Sequence, residues 1–118
     1  MHIGSRNHAE PFVTKDGSEV RVIVAGETVA RNQSLAEALL QEGETTQRHY
    51  HATSEEIYFV VEGCGEMELE GERTEVGPED AVLIPRGAFH QIRAVGGPLR
   101  FLCICAPPYR HEDTHFEE

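Results

Sequence analysis

The stretch from Gly43 to Gly63 reads GETTQRHYHATSEEIYFVVEG, and its pattern decides the fold. His49 and His51 lie two apart in a segment too polar and too rich in threonine for a helix. In a strand both side chains point to one face, which is how a sheet presents a pair of metal ligands. Beyond them Glu56 opens a β-branched and aromatic run that reads as a buried strand, with Gly63 as the turn that ends it. Further on, Pro85-Arg86-Gly87-Ala88-Phe89-His90 supplies a third histidine after a corner. Three imidazoles and one carboxylate suit a divalent transition metal with positions left open.

The spacing of Gly43, His49, His51, Glu56 and Gly63 resembles the first cupin motif, and Pro85, Gly87 and His90 resemble the second. Together the two cover Gly43 to about Ala94. The resemblance implies an all-β fold, a single-domain cupin barrel of the double-stranded β-helix or jelly-roll kind. It also implies a divalent transition metal, Fe, Mn, Ni or Zn, held inside the barrel by His49, His51, Glu56 and His90. Of the two adjacent glutamates only Glu56 stands at the motif's usual distance before Gly63, and in a strand Glu55 points the other way. The second motif departs from the family's usual pattern at Glu79-Asp80 and at Ala94, neither of which is a ligand position.

Bulk properties narrow the function class. A chain of 118 residues with 39% apolar content has room for one modest core. The expected division is an N-terminal segment over 1–18, the barrel over 19–106 and a C-terminal tail over 107–118. Twenty-one acidic against 10 basic residues give a net charge of −11, which repels nucleic-acid phosphates and anionic lipid. Neither nucleic acid nor membrane is expected as a partner. None of the three cysteines is in a CxxC arrangement. Cys103 and Cys105, roughly 6.5 Å apart along a strand with parallel Cβ vectors, suit a disulfide poorly. Free thiols, a polar Met1 to Phe12 and no membrane-length apolar run lead to a cytoplasmic protein as the expectation.

His2 and His8 have no ligand partner nearby in sequence and read as solvated. Glu19 to Val29 alternates as a first strand, which a turn at Gly26-Glu27 interrupts. Ser34 to Glu42 has helical composition, with a capping-box pair in Ser34 and Glu37 and Gly43 as a stop. The barrel instead requires a strand there, and a strand is the reading adopted. Glu66 to Glu70 alternates acid and apolar, Gly71 turns the chain, and Arg73 to Val76 returns as the hairpin partner. Ala81 to Ile84, Phe89 to Arg93 and Leu99 to Cys105 complete the strands, with a turn at Gly96-Gly97-Pro98. The Pro-Pro-Tyr tail cannot continue a central strand and reads as flexible. His111 and His115 would clip a metal only if that tail were helical.

Alternation places Tyr58 and Val60 on the side of Glu56, making Tyr58 the catalytic candidate, while Ile57, Phe59 and Val61 face outward. Gln47 shares the face of His49 as a possible supporting group. Arg48 and Arg93 point away from the histidines, which disfavours a sugar-phosphate substrate, and Arg86 lies in the corner. Small one-domain cupins resemble homodimers, and a homodimer would also cover the outward apolar set. The resemblance implies a metal-dependent enzyme with a small-molecule substrate, foremost a dioxygenase. A Lewis-acid isomerase, decarboxylase or polyketide cyclase is the alternative, and a non-catalytic metal- or small-molecule-binding cupin the second.

Overall fold

The computed structural model describes residues 1–26 and 29–117. Nine strands form one curled sheet: β1 Phe12–Val13, β2 Glu19–Val24, β3 Ser34–Leu40, β4 His49–His51, β5 Glu55–Leu69, β6 Glu72–Val76, β7 Ala81–Ile84, β8 His90–Ala106 and β9 Thr114–Phe116. Two 3₁₀ turns, Arg6–His8 and His111–Asp113, are the helical content of the described residues. The all-β expectation is met. Among the described residues no helix is long and apolar enough to cross a membrane.

The frame is the antiparallel pairing of β5 with β8, which runs from Glu55 opposite Ala106 to Leu69 opposite His90. β3 and β4 pair with the other edge of β8, β2 pairs with β3, and β6 and β7 pair with β5. Alternation sorts β5 as expected: Glu56, Tyr58 and Val60 are buried while Ile57 and Val61 are exposed. Val60, Met67, Ile92, Leu99 and Phe101 centre the core.

Two turn expectations fail. Gly63 does not end a strand but sits inside β5, where the register slips between Val60, Glu62 and Cys64. Gly96-Gly97-Pro98 likewise lies within β8. Both strands bend instead of stopping, because a bulge lets one strand turn a barrel corner while keeping its ladder. Gly63 has φ 86, and a Cβ there would lie 2.1 Å from the Pro98 carbonyl oxygen. The bend brings backbone against backbone where only glycine fits.

Ser34–Leu40 is a strand, against its helical composition. Ala38 is core, and on the opposite face the buried Glu37 accepts bonds from Arg6 at 2.7 Å and Arg100 at 3.2 Å. Packing on both faces outweighs a propensity difference of a few tenths of a kcal/mol per residue. β2 ends at Val24, before the expected Val29, and the Gly26-Glu27 turn falls partly outside the described residues. The C-terminal segment is not loose as expected: β9 pairs with β4, matching His49 to Phe116 and His51 to Thr114.

Gly63→Ala combines a left-handed φ with a backbone clash, and its expected loss is about 2–3 kcal/mol. Gly71→Ala, at φ 87 but with nothing within 4 Å of the added Cβ, is the control and is expected to lose about 1 kcal/mol. Urea unfolding midpoints of the two variants check the difference.

Candidate metal centre

His49 and His51 leave one face of β4, Glu56 stands at the start of β5, and His90 opens β8 opposite His49. The structure brings all four together. Both partners of the β4–β8 match are histidines, so the ladder sets the ring centroids of His49 and His90 4.2 Å apart. The three rings are buried and their nitrogens lie within 4.8 Å of one another. Glu56 Oε1 lies 3.3 Å from His51 Nε2 and 3.6 Å from His90 Nε2.

Backbone carbonyls fix the ring orientations. His49 Nδ1 is 2.7 Å from the Gln47 oxygen, His51 Nδ1 is 3.1 Å from that of Asp113, and His90 Nδ1 is 3.0 Å from that of Ala88. A carbonyl only accepts, so each Nδ1 carries the proton and each Nε2 presents its lone pair inward in the neutral ring. His90 Nε2 and Glu56 Oε1 are buried with no hydrogen-bond partner in the protein. Buried polar atoms are rarely left so, and these face each other with the chemistry of metal donors. The residues present therefore fit a divalent metal.

The electrostatics agree. Burial, followed by the nearby His90, lowers the pKa of His49 to about 4, which keeps that ring neutral. Burial alone would push Glu56 up, but the facing His51 and His90 rings hold it down at about 2. Burial lowers His51, yet the Glu56 carboxylate beside it outweighs this and raises it. The Cys105 thiol, pushed well up by burial and by Glu56, stays protonated and donates to Glu56 Oε2 at 3.3 Å. Cys64, Cys103 and Cys105 are all free thiols.

His49, His51 and Glu56 line a cavity of about 300 Å³, walled by Phe12, Val20, Ala38 and Phe101 and with Tyr58 in its lining, while His90 is fully buried behind them. Tyr58 is buried 5.7 Å from the His90 ring, and burial raises its phenol well above the usual range. Phe101, Cys103 and Cys105 look inward, a face the sequence leaves open. Gln47 supports His49 through its backbone carbonyl, while the residue itself is exposed. Arg48 turns away, to Glu68 at 2.6 Å and over the Phe89 ring. His2 and His8 are exposed, and His115 stacks on Tyr50 at 5.0 Å.

Sequence reasoning misses three groups. Asp16, from the β1–β2 loop, places Oδ2 3.7 Å from His49 Nε2. Asp113 accepts from the N–H groups of Ala52, Thr53 and Ser54 at 2.9–3.1 Å while its carbonyl holds His51. Tyr109 sets its ring 5.9 Å from His51. Position 16 and positions 109–113 are remote in the chain from the histidines, and nothing in local pattern ties them together.

A cupin domain family model matches residues 36–105. The chain belongs to the cupin family. The uncharacterized protein MJ1618 of Methanocaldococcus jannaschii is 44% identical over 111 residues, covering 92% of this cupin and 89% of the relative. The polyketide synthase CurC of Streptomyces cyaneus is 35% identical over 83 residues, 70% of this chain and 54% of CurC, so the match spans about half of that relative. Among solved structures, the polyketide cyclase RemF of Streptomyces resistomycificus superposes with a TM-score of 0.81 at 24% identity, covering 100% of this chain and 86% of RemF. That likeness concerns the fold.

Partial burial pushes the Asp113 carboxyl up, but the three N–H bonds and His51 outweigh it and hold the pKa below its usual value. A depressed folded pKa stabilises above the unfolded value, about 4, and the gain disappears as pH falls through the folded one. Asp113→Asn replaces an acceptor by a donor facing those N–H groups and is expected to cost about 2 kcal/mol at pH 7. The gap to the parent protein should close below about pH 4, read by urea unfolding across a pH series.

Proposed function

We propose that this cupin is a metal-dependent enzyme acting on a small, largely apolar molecule, with His49, His51, Glu56 and His90 as the metal ligands. The observation that carries the reading is the convergence of three imidazole nitrogens and the Glu56 carboxylate at the cavity's inner end, two of these donor atoms being without a partner in the protein. Three nitrogens and one carboxylate leave roughly two positions on an octahedral ion of Fe, Mn, Ni or Zn. Such an ion, when bound, supplies either activation of dioxygen or Lewis-acid polarisation of a substrate oxygen.

The chain's own residues do the rest. Backbone carbonyls hold the imidazoles in one tautomer, Cys105 steadies Glu56, and the apolar walls exclude water. Tyr58, kept neutral by burial, is the candidate to donate a hydrogen bond to a substrate oxygen. Dioxygenase chemistry on an enolate or catechol-like compound is the leading reaction class. Lewis-acid cyclisation is the second reading, favoured by the match to CurC, whose name places it in polyketide synthesis.

We also propose a homodimer. Ile57, Val61 and Leu83 are exposed by 36%, 36% and 56%, with Ile57 and Leu83 facing each other across β5 and β7. A second copy laid over this face would remove the apolar surface from water. Analytical ultracentrifugation should give twice the chain mass, and Leu83→Glu should give the chain mass alone.

Elemental analysis of the purified protein is expected to find near one equivalent of metal, lost in His49→Ala and in His90→Ala. Oxygen consumption by the iron-loaded protein over a panel of catechols, diketones and flavonols then separates the two chemistries. Uptake supports the dioxygenase, and silence across the panel supports cyclisation. Absence of metal after reconstitution overturns both.

A further inference from the structure

Among the described residues lining the cavity, Asp16 and Glu112 are the carboxylates outside the proposed ligand set, and Asp16 lies 3.7 Å from His49 Nε2. It reaches the site from the loop between β1 and β2, far from the motifs in sequence. Its two oxygens have separate duties. Oδ1 accepts from Thr14 Oγ1 at 2.7 Å, from the Ser18 amide at 2.9 Å and from Ser18 Oγ at 2.6 Å. Those three donors lock the carboxylate's rotation and leave Oδ2 directed at His49 Nε2, 3.7 Å away.

The loop itself is anchored to the site. The Asp16 carbonyl accepts from the Gln47 amide at 2.7 Å, and the Gln47 carbonyl in turn fixes His49. Lys15 reaches the Thr114 carbonyl at 3.3 Å. Oδ2 is thus a preorganised acceptor, side chain 14% exposed, on the cavity side of His49. Glu56, by contrast, sits against His51 and His90. Half-buried and held in one orientation, Oδ2 rewards a ligand that brings a donor and gives nothing to one that lacks it, which is a source of selectivity.

We propose that Asp16 is a specificity-determining residue, which selects ligands that carry a hydroxyl donor next to the oxygen they offer to the metal. This rests on the metal-site reading above. The substrate class it names is a vicinal dihydroxy, hydroxy-carbonyl or enol compound. Bare anions that offer acceptors only meet a fixed negative charge at Oδ2 and are disfavoured.

Asp16→Asn tests this cleanly. The donors of Thr14 and Ser18 require an acceptor at Oδ1, so the amide nitrogen takes the place of Oδ2 and an acceptor becomes a donor. The probes are 4-nitrocatechol, which carries the neighbouring hydroxyl, and azide, which has none, each titrated by absorbance into cobalt-loaded protein of measured metal content. Nitrocatechol affinity is expected to fall at least about tenfold, with azide affinity equal or higher and cobalt content unchanged. Asp16→Ala, which also loosens the loop, should show the same loss for nitrocatechol together with a lower melting temperature. Unchanged nitrocatechol affinity in a loaded Asp16→Asn protein overturns this proposal alone. Loss of cobalt along with both affinities also overturns it, making Asp16 a metal ligand. A parent protein that takes up no cobalt removes the metal-site reading and this inference with it.

Discussion

Everything about the site depends on a bend in two long paired strands. Along β5 the ladder partner of His90 is Leu69, 13 residues beyond Glu56. At about 3.3 Å per residue a straight strand would separate those positions by roughly 40 Å. The longest dimension of the molecule is 38 Å, and Glu56 Oε1 lies 3.6 Å from His90 Nε2. β5 and β8 must therefore curl back together, and they do so at Gly63 and at Gly96-Gly97, where register slips coincide with positive φ angles and where Gly63 meets the Pro98 backbone. The candidate metal site depends on these glycines as much as on the histidines.

Once the strands are curled, orientation is supplied by main chain more than by side chains. All three imidazoles are held through Nδ1 by carbonyls, from residues 47, 88 and 113. Carbonyl oxygens cannot donate and do not titrate in the ordinary range, so they impose one tautomer at every pH where the rings are neutral. A carboxylate in that role would add charge to a site that already holds Glu56 without needing more rigidity. The burial that depresses His49 serves the same end, keeping its lone pair available.

The four candidate ligands were legible because they lie within short, punctuated runs. His49 and His51 share a face by strand period, Glu56 starts an apolar run, and His90 follows Pro85 and Gly87. The same period correctly sorted Tyr58 from Ile57. Ser34 to Leu40 was ambiguous because its local preference is helical, and the arginines that settle it, Arg6 and Arg100, come from distant segments. Gly63 was read as a stop because a bulge and a turn carry the same residue signal. Asp16 and Asp113 were invisible for a different reason: each acts on a segment distant in the chain, and no periodicity marks such a residue.

The C-terminal segment gives the site a history as well as a shape. Strand β4, which carries two of the histidines, matches β8 at a single position and otherwise leans on β9, with Asp113 gripping the turn that follows it. During synthesis His51 emerges some 62 residues before the aspartate whose carbonyl orients it. The four candidate ligands therefore reach their final arrangement only after the last strand has joined the sheet, so any ion such a set takes would be selected by the closed barrel's geometry instead of by raw affinity.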